Sequence, residues 1–219
     1  MTEEQMRVEG EVRKARSIAR LRGEGIPTID HLPWIECDPA TIRTPESVAR
    51  RVTVLGLLAV HAEPEGMPRP VLDKFIDDRG VRGNLTPGEK KFLGIPSPTE
   101  RDRGPFTWQY ECAYVLLWAL GYFEKLGAPS RYCTAVEVSA IFAKRTVPQL
   151  IEGSRFRTPA EIFDESDLIF RYHWAARQAQ LTGRKPPAGL LAPVCHYRHY
   201  ALSWLTDSSA EWDNVDTST

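Results

Sequence analysis

The stretch Thr107-Trp-Gln-Tyr-Glu-Cys-Ala-Tyr-Val-Leu-Leu-Trp-Ala-Leu-Gly-Tyr-Phe123 decides the fold class. From Cys112 to Phe123 every residue is apolar, aromatic or Gly. A helix that is apolar on all sides must be enclosed on all sides. Twelve such residues are too few to cross a bilayer, so the stretch predicts a core helix over about 106–125. Glu111 does not fit that picture. It shares the row Trp108–Glu111–Val115–Trp118–Tyr122, spaced by three and four, with residues suited to packing. A carboxylate there has to be paired, hydrogen-bonded, protonated or peripheral. The expectation is a cation from a later helix, either Arg171 or Arg198.

Helix starts surround this stretch. Thr44-Pro45 reads as an N-cap with proline at the first helical position. Val48, Val52, Leu55, Ala59 and Ala62 then recur at helical spacing until Pro64 and Gly66. A shorter helix, about 70–79, carries Leu72, Phe75 and Ile76 on one side. Thr86–Glu89, Ser97–Glu100, Thr134–Glu137, Thr146–Gln149, Thr158–Glu161 and Ser208–Glu211 all read as capping boxes, a hydroxyl followed three residues later by Glu or Gln. Long helices are expected at about 44–63, 106–125, 158–182 and 190–206. The last two are separated by the short loop Gly183–Gly189 and should be antiparallel neighbours. Residues Gly25–Glu36 carry two prolines and no sustained period, and read as an extended connector pinned by Ile26, Ile29, Leu32 and Trp34. No segment alternates apolar and polar residues with β-branched enrichment. The expected fold is all-α, a single compact multi-helix domain over 1–219 around the central helix, with few or no strands.

A chain of 219 residues can bury one large core, and no Pro/Gly/Ser linker divides it. The net charge of −1 excludes a global field that would draw in nucleic acid or anionic membranes. Charge is concentrated at the two ends. Residues 1–23 read as a basic helix that can lie at the periphery, with Val8, Val12, Ala15, Ile18 and Ala19 as its apolar stripe. Residues 207–219 read as an acidic tail with Asp207, Glu211, Asp213 and Asp216. Cys37, Cys112, Cys133 and Cys195 are scattered and form no Cys-x-x-Cys pair, which suits a reducing cytoplasm without structural disulfides. The first residues are acidic with no apolar run after them, so no signal peptide is expected, and no transmembrane segment is present.

Two polar clusters could carry chemistry. On the 158–182 helix, Asp164, Asp167, Arg171 and Trp174 share a face, and Asp167–Arg171 is an i,i+4 pair. Ile162, Ile169, Tyr172, Ala176 and Ala179 make a second, core-directed stripe, and His173 points away from the aspartates. In His196-Tyr-Arg-His199 the histidines are three apart and could be two ligands of a divalent ion with Glu111 as third, but spacing fixes no third ligand. No metal and no cofactor is expected. Nucleophile elbows and glycine-rich phosphate loops are missing. Cys112, Cys133 and Cys195 read as buried inert thiols. The candidate polar centre is therefore Glu111, Asp164, Asp167, Arg171, His173, Arg198 and His199.

Several motifs carry a family resemblance: Arg16-Ser17, Gly25-Ile-Pro27, Leu32-Pro33, Arg43-Thr-Pro-Glu-Ser-Val-Ala-Arg-Arg51, Leu85-Thr-Pro-Gly-Glu89, Trp108-Gln-Tyr-Glu111, Leu117-Trp-Ala-Leu-Gly121 and Arg157-Thr-Pro-Ala-Glu-Ile162. Asp167, Arg171-Tyr-His-Trp174, Arg198-His199, Ala201-Leu202, Trp204-Leu205 and Trp212-Asp213 complete the set. Together they resemble the bacterial domain-of-unknown-function family 4272 over nearly the whole chain. The resemblance brings no activity, cofactor or catalytic residue with it. Tyr197 stands where a Glu looks typical of that family and Ser203 where an Asn does, which weakens any catalytic or metal set built on that Glu.

The first functional expectation is a binding or interaction module for a protein partner, of the immunity or adaptor kind, located in the cytoplasm. The competing class is a small hydrolase or other enzyme whose polar cleft is lined by Glu111, Asp164, Asp167, Arg171, His173 and His199. It would show as a pocket where Glu111 and a His or Arg converge. Nucleic-acid binding through the basic first helix is disfavoured because no aromatics interleave with its charges.

Overall fold

Thr44 shows how most helices of this chain begin. Its hydroxyl accepts the Ser47 N–H, and Pro45 follows where a missing N–H costs nothing. The computed structural model describes residues 2–219. Its helices are α1 (Glu3–Gly23), α2 (Pro45–Ala62), α3 (Arg69–Asp78), α4 (Pro87–Leu93) and α5 (Glu100–Thr107), then α6 (Gln109–Ala119), α7 (Ala135–Ala143), α8 (Val147–Glu152), α9 (Pro159–Leu181) and α10 (Ala192–Thr206). No strand occurs among the described residues. The chain is all-α.

Helix α6 and helix α2 lie against each other at the centre. Helix α10 covers α6, α9 packs on α10, and α1 packs on α9, while α3, α5, α7 and α8 surround α2. The apolar stripe of α2 is buried as its spacing predicts, including Val48, Val52, Leu55, Ala59 and Ala62. Around α6 all residues from Tyr110 to Ala119 are buried except the half-buried Tyr114.

The central helix is shorter than 106–125. It starts at Gln109, separated from α5 by the junction at Trp108, and its last helical residue is Ala119. Gly121 ends it, with φ +86°, and a Cβ there would stand 2.4 Å from the Arg155 carbonyl oxygen. Only glycine supplies that turn without strain or clash. The chain beyond is a loop to Thr134, pinned by backbone bonds from Arg155 and Arg157 to the carbonyls of Leu120 and Ala119.

Capping boxes form at Thr86–Glu89, Thr146–Gln149 and Thr158–Glu161, and also at Thr2–Gln5. Three other boxes differ from expectation. Ser97 is displaced as the cap by Thr99, which boxes with Asp102, because Pro98 extends the chain for two more residues. Thr134 caps α7 by position without a side-chain bond. Ser208–Glu211 starts no α-helix and leads only to a short 3-10 turn, Trp212–Asn214.

Helix α1 turns a different face inward from the one its apolar residues suggest. Gly10, Arg13, Ser17, Ile18 and Leu21 are buried, whereas Val8, Val12, Ala15 and Ala19 are exposed. Two contacts override the apolar stripe. The Trp34 ring lies so close to Gly10 that a Cβ would meet it at 2.5 Å. Arg13 and Arg16 both reach Asp164 on α9, at 2.8 and 2.7 Å. Of the connector residues, Ile26 and Leu32 are buried and Ile29 and Trp34 half-buried.

The segment after α10 packs back on the domain. Trp212 is buried against Tyr200 and Trp204, its carbonyl accepts the Tyr200 hydroxyl, and Asp213 accepts the Gly88 N–H at 2.8 Å.

Candidate functional site

Glu111 sits in the first turn of α6 and is 2% exposed. Its partner comes from α10: Arg198 Nε donates to Glu111 Oε2 at 3.1 Å. The other carboxylate oxygen accepts the Cys133 N–H at 2.5 Å. Arg198, also 2% exposed, spends its Nη1 on the carbonyls of Leu126 and Gly127, at 3.0 and 3.1 Å. The pair thus fastens the middle and the far end of the loop that follows α6. Both carboxylate oxygens and the Nε and Nη1 of the guanidinium meet protein, which is what makes a buried charge tolerable. Cys133, beside that carboxylate, has its thiol pushed up by burial and by the neighbouring negative charge. It is held as a neutral thiol, the unreactive form.

The remaining residues of the expected polar centre form three further separate pairings. Arg171 does not reach Glu111. Its Nε and Nη2 grip Asp167 on the same helix at 2.9 and 2.6 Å, and Nη2 also donates to the Pro33 carbonyl, tying α9 to the connector. Asp164 faces α1 and takes Arg13 and Arg16. His173 and His199 meet through their Nδ1 atoms at 2.9 Å, so one ring donates and the other accepts. Burial, then the neighbouring His196, lowers His173 to about 4, and burial, then His173, lowers His199 to about 3. Both are neutral at ordinary pH. His196 lies 5.4 Å from His173 between ring centroids. Among the described residues, no three His, Cys, Asp or Glu side chains are grouped to hold a metal ion.

A pocket of about 220 Å³ borders Glu111 between Trp108, Tyr132 and Cys133, but no His or Arg lines it, and a larger opening lies in a different region. A cleft of about 650 Å³ lies between the start of α2, residues 83–87 and the segment 204–214. Arg43, Arg51, Trp204 and Trp212 line it, with Asn84, Glu211 and Asp213 at its edges. The two arginines lie over the two tryptophans, Arg43 4.0 Å from the Trp204 centroid and Arg51 5.0 Å from that of Trp212. Arg51 is buried and bonded to Glu89, whose carboxylate also completes the Thr86 capping box, while Arg51 Nε has no partner. Arg43 reaches no carboxylate. It donates to the carbonyls of Trp204, Asp207 and Ala210, closing the end of α10, and burial lowers its pKa. Glu211 and Asp213 are exposed and make no ion pair among the described residues.

The arrangement puts the exposed carboxylates of Glu211 and Asp213 at the rim of one opening, beside tryptophans that are buried and already covered by Arg43 and Arg51. Sequence reasoning named none of these residues as a site. The available signal was that the resemblance-bearing segments Arg43–Arg51, Leu85–Glu89, Trp204 and Trp212–Asp213, far apart in the chain, all carry Arg, Trp or acidic residues. They meet here. No helix is long and apolar enough to cross a membrane among the described residues. No curated protein and no solved structure gives a match. A family model described as Domain of unknown function (DUF4272) matches residues 13–215 of the 219, from the buried arginine of α1 to the segment beyond Trp212, and the chain belongs to that family.

Proposed function

We propose that the chain is a protein-binding module, and that a basic segment of a partner seats in the cleft between α2 and residues 204–214. One observation carries this reading: the floor arginines are closed by Glu89 and by backbone carbonyls, whereas the rim carboxylates of Glu211 and Asp213 lack a cation. A lysine or arginine of a partner supplies that cation, each ion pair at such an exposed rim being worth about 0.2–1 kcal/mol. Arg and Trp are also the residues that dominate binding hot spots. The competing enzyme reading requires Glu111, Asp167, Arg171, His173 and His199 to share one opening, and their separate pairings favour binding over catalysis.

Calorimetric titration with a hexalysine peptide tests the proposal. Saturable binding is expected, weakened about tenfold by Glu211→Gln with Asp213→Asn and weakened again by salt. A hexaglutamate peptide should not bind. Equal binding by the variant and the unaltered chain would overturn the assignment of the cleft.

A further inference from the structure

The outer face of α1 is apolar and uncovered. Val8 and Val12 are 50% and 54% exposed, and Ala15 and Ala19 are exposed with them. Their spacing of four, three and four repeats every seven residues, the pattern by which two helices interlock. At 100° per residue this stripe lies opposite the face that Gly10, Arg13, Ser17 and Leu21 bury against the rest of the fold. The inward face is fixed by the Arg13–Asp164 pair and the Trp34 contact, so α1 cannot roll to hide the stripe without breaking both.

The charge pattern of α1 indicates what covers it. Glu3, Glu4, Glu9 and Glu11 outweigh the single Arg7 in its first half, and Arg13, Lys14, Arg16, Arg20 and Arg22 load its second half with base and no acid. Glu9 and Glu11 make no ion pair among the described residues, although the arginines beyond them are bonded. A helix of this polarity is complementary to itself when turned end for end, and repels itself when parallel.

We infer that α1 is a self-association surface, its partner being α1 of a second copy of this chain, antiparallel about a two-fold axis. In that register Val8 stands opposite Ala19 of the second copy and Val12 opposite Ala15. Each larger residue meets a smaller one, and the backbones can approach closely. Glu9 falls beside Arg16 of the second copy, whose side chain keeps 61% of its surface exposed despite its bond to Asp164. The two-fold repeats both contacts, as an isologous interface must. A single helix pair covers an area at the low end of specific interfaces, on the order of 1,000 Å², so association is expected at micromolar concentrations and above. The inference does not depend on the cleft proposed above.

Sedimentation equilibrium on the full chain tests it. The expected result is a monomer–dimer equilibrium that Val12→Glu weakens about tenfold or more, because each copy then buries a carboxylate in the seam. Raised salt weakens it further by screening the Glu9–Arg16 contact. Val12 is exposed in the monomer, so at concentrations where both chains are monomeric the variant should melt at the same temperature as the unaltered chain, which circular dichroism checks. Orientation is read by mixing Val12→Cys chains with Ala15→Cys chains under oxidation. Antiparallel pairing predicts the mixed disulfide in preference to either like pair. A chain that stays monomeric up to about 1 mM would overturn the inference. So would a dimer that Val12→Glu leaves intact, or one in which Val12→Cys chains cross-link mainly to each other.

Discussion

Arg198 and Arg43 are both arginines laid against an aromatic ring, 5.3 Å from Tyr114 and 4.0 Å from Trp204 respectively, and they end in opposite situations. Arg198 brings its carboxylate with it, seals a loop, and is surrounded. Arg43 is spent on backbone carbonyls at the edge of an open cleft whose Glu211 and Asp213 carboxylates have no cation. A charge enclosed with its counter-charge is architecture, since desolvation offsets most of the attraction and the charge is already answered from within the fold. A charge left beside open volume is available to one. The difference lies in what the fold brings to each side chain, not in the side chain.

The largest expected effect breaks the enclosed side of this comparison. Arg198→Met leaves the Glu111 carboxylate buried without a cation and should cost about 3–5 kcal/mol in denaturant unfolding. Adding Glu111→Gln to it should recover a substantial part of that loss, because the amide oxygen still accepts the Cys133 N–H and no unpaired charge remains. Additive losses from the two changes would mean that the pair is not the energetic unit described.

Acid provides the next largest effect. The unfolded histidines titrate near 6.5, whereas His173 and His199 refuse protons in the fold until about pH 4 and about pH 3. Well above pH 6.5, where neither state holds these protons, the two groups contribute no pH dependence. Below it the unfolded chain binds protons that the folded chain does not, so stability falls as the pH drops. Between pH 7 and 5 the fall should be about 2–4 kcal/mol, read from urea midpoints, and His199→Phe should flatten it.

Smaller effects are expected at the cleft. Arg43→Gln removes donors from the end of α10 and should cost about 1–2 kcal/mol. Glu211→Gln should change stability by no more than about 0.5 kcal/mol, as an exposed unpaired group does, while weakening hexalysine binding. That separation between stability and binding is the opposite of what Arg198 should show.

The enclosed half of the molecule was legible in the chain, and the open half was not. The apolar run around Trp118, the Thr-Pro helix starts and the intruding Glu111 all act through neighbours in sequence or through a charge that has to be answered. Arg198 answered it. Local signals failed at α1, where Arg13 is buried by its pairing with Asp164 while the valines stay outside. They failed again at Phe123, because Gly121 takes a left-handed turn that apolar composition does not report. The cleft needs Arg51 of α2, Thr86 and Trp212 to meet across long stretches of chain. No periodicity or spacing encodes such a meeting.

The six tryptophans provide the most direct test, since their indole N–H signals report on both regions at once. Trp204 and Trp212 line the cleft, while Trp118 lies on the Glu111 helix and Trp108 immediately precedes it. In a ¹H–¹⁵N titration with hexalysine, the account predicts that the signals of Trp204 and Trp212 move and those of Trp108 and Trp118 stay. Movement confined to Trp108 and Trp118 would contradict it, placing the open site at Glu111 and the closed architecture at the cleft.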